Sequence, residues 1–249
     1  MSRSAWALAP EYPLEIQVNE KRIAVLMCTP YDLEELAIGY LFTRGMIKSL
    51  DDVLTIGLCP DRSRIKIEVA GGIEPDSLGL GDVVASGCGS GLVLSQAFLA
   101  RPPLPDGWTI ELRKLTMWTR TMFDAAELYK ATGGLHCAAL ASEAGAERTD
   151  DAPGLWVVRE DVGRHNAIDK AIGRGLLDGA DFARSCLLTS GRIAADMALK
   201  AIGAGVPIVA SRSIPTTSAY EIAVKSELTL VGRIGSSDPT VYTRPERIR

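Results

Sequence analysis

The chain has 249 residues, a formal net charge of −4 and 47% hydrophobic content, ample apolar material for one large domain or two modest ones and too much for a disordered segment. This balance excludes a protein that coats nucleic acid or an anionic membrane through bulk charge, so any polyanion has to be held by a local group of cations. Five cysteines, at 28, 59, 88, 137 and 186, contain no CxxC knuckle and suit a reducing cytoplasm better than a disulfide framework. The start has no continuous apolar signal region, and no run of about eighteen apolar residues is present to span a membrane. A soluble, cytoplasmic protein is expected, with neither nucleic acid nor membrane as a partner.

In chain order, residues 14–18 and 22–27 flank Asn19-Glu20 and predict a hairpin, and residues 64–69 alternate charged and apolar side chains as a half-buried strand does. Between them, CTPYDLEELAIGYLFTRG at 28–45 predicts a helix with Thr29 as its cap, Pro30 at its first position and Gly45 as its stop. The first half is therefore β-rich with one helix. The stretch ASGCGSGLVLS at 85–95 sets Cys88 among glycines and serines, with almost no apolar side chain to bury in its Ser86–Gly91 core. It predicts a mobile, solvent-facing loop and a thiol with a chemical use.

ARPPLPDG at 100–107 breaks any regular element and predicts a linker, dividing the chain into 1–107 and 108–249. Beyond it a helix at 115–130 places Leu115, Trp118, Met122, Ala126 and Tyr129 on one face. Strands are expected at 135–141, 155–162, 186–190, 206–210 and 228–233, and helices at 165–177, 193–203 and 217–226. Such alternation predicts a layered α/β sheet, the fold class expected for the second half.

The densest polar run, VVREDVGRHNAIDKAIG at 157–173, puts Arg159, Glu160, Asp161, Gly163, Arg164, His165 and Asn166 where a strand gives way to a helix, a junction that offers free amides and a favourable dipole to an anion. The alternative is a surface Asp161–Arg164 pair with Asn166 capping the helix. Two similar junctions carry Ser190-Gly191-Arg192 and Ser211-Arg212-Ser213, and three Arg-bearing turns on one sheet edge suit a large polyanion. After the last predicted strand, Arg233, Ile234, Gly235, Ser236, Ser237 and Asp238 form either a backbone nest or an ordinary turn.

Thr132-Gly133-Gly134 precedes His136, which is either a satisfied core histidine or a site residue. A zinc deaminase is excluded, because Ala138 stands where its H-x-E glutamate would be and no P-C-x-x-C follows. Rossmann and P-loop nucleotide motifs are absent. No metal site is expected. A Cys/His hydrolase pairing Cys88 with His136 or His165 remains a third possibility.

REDVGRHNAIDKAIG, TGGLHCAAL, LLTSGR and CTPYDLEELAIGYLF together resemble the FdhD family of formate dehydrogenase accessory proteins over nearly the whole chain. The resemblance implies a cytidine-deaminase-like α/β domain without zinc, a smaller β-rich domain and a homodimer. It implies binding of the bis-molybdopterin guanine dinucleotide cofactor as cargo, with GDP or GMP as a partial mimic. Its partners would be a cysteine desulfurase, which supplies sulfur, and the formate dehydrogenase catalytic subunit, which receives the matured cofactor.

Cys88 falls on the first cysteine of the family's C-x-x-C loop, the persulfide position, and Gly91 replaces the second. Arg164, Arg192 and Arg212 would face phosphates, His165 and Asn166 would shape the pocket, and residues 132–136 would close one wall. Asp161 or Asp169 would read guanine, and residues 233–238 would touch cofactor. The alternative from another class is a cofactor-binding chaperone with the same pocket and no sulfur transfer.

Overall fold

The computed structural model describes residues 8–71, 103–142 and 152–249; the Cys88 stretch lies outside them. The predicted hairpin is β1 (Tyr12–Val18) and β2 (Lys21–Cys28), turning at Asn19 (φ 44°) and Glu20 (φ 64°). Positive φ at both central residues gives a turn whose twist matches that of its strands. The Asn19 side chain also bonds both the amide and the carbonyl of Val69, at 2.9 and 3.2 Å. That stitches the turn to β4 (Arg64–Val69), where Ile65, Ile67 and Val69 are buried and the charged residues between them are exposed. With β3 (Val53–Leu58), absent from the sequence reading, the order is β2-β1-β4-β3.

Helix α1 (Leu33–Thr43) covers this sheet and has nine of its eleven residues buried, the pattern of a helix packed on opposite sides. It ends through Gly45 (φ 71°), as expected. Its start does not follow expectation: the N-cap is Asp32, without a side-chain cap, and Thr29 and Pro30 precede the helix. The Thr29 amide and hydroxyl instead donate to Asp161 Oδ2 at 3.0 and 2.9 Å. Leaving a buried carboxylate short of donors costs more than a lost cap.

The second sheet contains β5 (His136–Ser142), β6 (Leu155–Asp161), β7 (Ser185–Thr189), β8 (Ile208–Ser211), β9 (Thr229–Gly232) and β10 (Thr240–Val241), in the order β10-β9-β8-β7-β5-β6. Strands β7, β8 and β9 are parallel and the other pairs antiparallel. Helix α2 (Leu112–Ala125) packs on one face, whereas α4 (Arg164–Leu177), α5 (Ala195–Ala204) and α6 (Thr217–Ser226) pack on the other. Along β5, Ala138 and Leu140 join the core beneath α4, α5 and α6 while Cys137, Ala139 and Ala141 join the core beneath α2, the alternation of a sheet buried on both faces. The mixed α/β class is as predicted.

The single helix expected at 115–130 is two, α2 and the short α3 (Glu127–Thr132), broken at Ala126 with ψ 86°. The Glu160 carboxylate accepts from the Leu128 and Tyr129 amides at 3.1 and 2.5 Å. These first-turn donors would be bonded internally in an unbroken helix, and the carboxylate takes that place.

Helix α1 meets α4 and α5 at backbone distance. A Cβ on Gly39 would lie 1.8 Å from the Asp169 carbonyl oxygen, one on Gly173 2.0 Å from that of Glu35, and one on Gly203 2.0 Å from that of Thr43. Two buried ion pairs flank this contact, Lys170–Asp161 at 2.7 Å and Lys200–Asp169 at 2.5 Å. Burial, aided by the Arg44 charge, pushes the Lys200 ammonium down to about 8 despite Asp169. Arg159 clamps Glu35 with two bonds of 2.5 and 2.9 Å. At the other end of the second sheet Leu104 is buried in its core, and Arg247, itself buried, donates to the carbonyls of Leu104 and Pro105 and to Asp106.

Candidate functional site

The register of the second sheet brings the expected turns to one edge. His136, opening β5, pairs with Asp161, closing β6; Ala138 pairs with Thr189, which pairs with Ser211. Across that edge the turns follow in the order 161–166, 132–136, 190–192, 211–213 and 233–238. Strand ends of parallel sheets leave amides and helix starts free, and ligands favour such edges.

Hydrogen bonds lace neighbouring turns together. Ser190 Oγ accepts from the Cys137 amide at 3.0 Å and lies 3.2 Å from His136 Nδ1. Ser211 donates through Oγ to the Gly191 carbonyl at 2.6 Å and accepts from the Ser213 amide at 2.9 Å. The Arg233 and Ile234 amides donate to the carbonyls of Ser213 and Ser211. Arg164 crosses Gly191 so closely that a Cβ there would stand 3.1 Å from its Cδ. Thr132 Oγ1 accepts from the Gly134 amide and donates to the Leu128 carbonyl, and Gly133, at φ 65°, ends α3.

In the last loop Arg233 (φ 55°) and Gly235 (φ 85°) turn the chain, with the Ser236 amide on the Arg233 carbonyl and the Asp238 amide on Ser236 Oγ. Ile234 is buried, whereas Arg233, Gly235, Ser236, Ser237 and Asp238 are exposed, as are Arg192 and Arg212. Three exposed guanidinium groups on three consecutive strand ends, beside hydroxyls and turn amides, are donors of the kind that fit a nucleotide's phosphates. Among the described residues no three His, Cys, Asp or Glu side chains gather as a metal centre.

Charge at the edge is set by near neighbours. Burial, then the charges of Arg164 and His165, hold His136 below the usual imidazole range. His165 Nε2 pairs with Asp196 Oδ2. Burial alone would raise Asp196, but the hydrogen bond to His165, the charges of His165 and Arg164, and the Met197 amide hold it below the ordinary carboxylate range.

Asp161 and Asp169 are enclosed by protein donors. Both are buried, Asp161 accepting from Lys170, Thr29, the Gly163 amide and Asn166, and Asp169 from Lys200 and Thr43. The surface alternative for this run does not hold either: Asp161 pairs with Lys170 and not with Arg164, and Asn166 donates to the Met27 carbonyl and Asp161 instead of capping α4.

Asp196, Glu160 and Lys170 were missed as supports of the edge. Their partners lie 9 to 141 residues away, and the sequence signal for each is only a charged residue in or before an apolar helix.

Three thiols are poor nucleophiles. Burial pushes Cys28 up to about 12, Cys137 up to about 11 and Cys186 higher still, so each stays a protonated, small apolar group. Cys59 is partly exposed after β3, and Cys88 lies outside the described residues.

Residues 9–249 match the FdhD/NarQ family. The chain is 36% identical over 260 residues to the sulfur carrier protein FdhD of Streptomyces avermitilis, covering 97% of this chain and 88% of that one. It is 31% identical over 248 residues to the protein of that name from Bacillus subtilis, covering 97% and 90%. A crystal structure of a putative formate dehydrogenase accessory protein from Desulfotalea psychrophila superposes with a TM-score of 0.78 at 30% identity, covering 97% of this chain and 91% of that one. With the family match, the relatives and the fold in agreement along almost the whole length, the chain belongs to the FdhD/NarQ family.

Proposed function

We propose that this protein is a sulfur carrier for formate dehydrogenase maturation, holding the guanine nucleotide ends of the bis-molybdopterin cofactor at the sheet edge as cargo and carrying sulfur on Cys88. The observation that supports cargo binding is the row of exposed Arg192, Arg212 and Arg233 on adjacent strand ends. The relatives' name supports the sulfur step. So does the loss of Cys28, Cys137 and Cys186 as candidates through burial.

In that step the Cys88 thiolate attacks the terminal sulfur of the desulfurase persulfide. The donor's S–S bond breaks, a new one forms on Cys88, and the desulfurase leaves as a thiolate. Two-electron sulfur moves between thiols, so no outside oxidant is required.

After incubation with a cysteine desulfurase and cysteine, mass spectrometry is expected to find an adduct of about 32 Da, one sulfur atom, on Cys88 and on none of the buried thiols. An adduct on Cys59 would move the carrier role there. Well-folded protein without any adduct would favour the cofactor-binding chaperone.

GDP is the accessible probe of the cargo site. Arg192→Ala and Arg164→Ala are each expected to weaken it roughly tenfold or more in calorimetric titration, the loss of one charge-assisted bond. Arg113→Ala, on α2 beside Glu111, is the control and leaves affinity unchanged. Undiminished binding in both edge variants would place the nucleotide elsewhere.

A further inference from the structure

We propose that Arg212 and Phe123 form a stacking platform for the purine base of the bound nucleotide; this deepens the nucleotide reading above and rests on it. The guanidinium carbon of Arg212 lies 5.3 Å from the centre of the Phe123 ring. Phe123 in turn makes a tilted pair with Tyr129, the centroids 5.5 Å apart. Both rings are half-buried against the α2 core while Arg212 is exposed. The Phe123 ring, braced by Tyr129, therefore backs the guanidinium from the protein side, and the exposed Arg212 leaves its other side to solvent. Among the described residues no carboxylate pairs with Arg212.

A guanidinium is planar, delocalised and weakly hydrated, and its faces stack on nucleobases as readily as its edge binds phosphate. An aromatic ring on one face holds that plane in place and leaves the opposite face for a second flat partner. Among the described residues no ring contacts Arg192 or Arg233, on the strand ends either side, and these two are the edge's phosphate donors. Arg212 thus differs from its neighbours in kind: a central flat surface between two point contacts.

Its support is fixed before any ligand arrives. Ser211 Oγ is bonded to the Gly191 carbonyl at 2.6 Å and to the Ser213 amide at 2.9 Å, which clamps the backbone on both sides of Arg212. Glu160 holds the Tyr129 amide at 2.5 Å. A preorganised platform of this sort spends little ordering entropy when a base lands on it.

The test compares GDP with inorganic pyrophosphate, which has the phosphates and no base, in the wild type, Phe123→Leu and Arg212→Lys. Lysine keeps the charge and loses the plane. Both variants are expected to weaken GDP about tenfold, as loss of one base-stacking contact does, and to leave pyrophosphate within about twofold of the wild type. Phe123→Leu retains an apolar side chain, and Arg212→Lys, at an exposed position, keeps the test open if the first variant folds poorly. Unchanged GDP affinity in Arg212→Lys, or a parallel loss of GDP and pyrophosphate, overturns the platform. A wild-type protein that binds neither ligand instead removes the nucleotide reading itself.

Discussion

Replacing Cys88 by alanine is expected to abolish formate dehydrogenase activation in cells that lack other FdhD proteins, while thermal melting and GDP affinity stay at wild-type values. A sulfur carrier needs one thiolate that a donor can reach. Cys28, Cys137 and Cys186 are buried with thiols pushed well above neutrality, so none substitutes for the lost group. The Ser86–Gly91 stretch around Cys88 consists otherwise of glycine and serine, so the substitution is expected to remove chemistry and little packing. Cys59→Ala serves as the companion variant and is expected to retain full activation. Full client activity in the Cys88 variant would exclude sulfur transfer through this residue and leave cargo binding as the protein's task.

The second large effect is on stability. Lys170→Met is expected to lower stability by about 3–5 kcal/mol, because it leaves Asp161 buried with no counter-ion. Lys170 Nζ lies 2.7 Å from Asp161 Oδ2 and 2.7 Å from Thr29 Oγ1, and both charged side chains are fully buried. For a chain of this size such a loss lowers the melting temperature by roughly 10 °C or more. Removing both charges, Asp161→Asn with Lys170→Met, should cost less than the sum of the single variants, since neither partner is then an unpaired buried ion. Calorimetric melts of the two singles and the double decide the matter. Strict additivity, or a Lys170→Met melt within a degree or two of wild type, would show that the pair is not what joins β6, α4 and the segment leading to α1.

Local patterning carried most of the second sheet. Residues 217–226 have an apolar face and a threonine before them, and the structure has both α6 over that span and Thr216 accepting from the Ala219 amide. Strand β4 and the Asn19-Glu20 turn were equally open to reading, because period-two burial and a two-residue turn are properties of neighbours in the chain. The turns that gather on the sheet edge were recognisable one by one for the same reason.

What escaped was decided at long range. Thr29 has the chemistry of a cap, yet a carboxylate 132 residues away takes its donors. The break at Ala126 depends on Glu160, more than thirty residues on, and has no glycine or proline to announce it. Asp196 became visible only as the partner of His165. Asp161 and Asp169 read as ligand-facing from their place in a polar run, and only the packing of α1 over them shows why they are interior.

The three glycine contacts of α1 constrain how the family can be recombined. Gly39, Gly173 and Gly203 each accept a foreign carbonyl at a distance that no Cβ allows, and they come from stretches of the chain more than a hundred residues apart at the extreme. A chimera that takes residues 8–71 from one relative and the remainder from another inherits this fit only if the first parent has glycine at 39 and the second has glycine at 173 and 203. Such grafts should therefore succeed or fail as a set of three positions, largely independent of overall identity between the parents, and the first sheet travels between relatives together with the floor on which α1 rests.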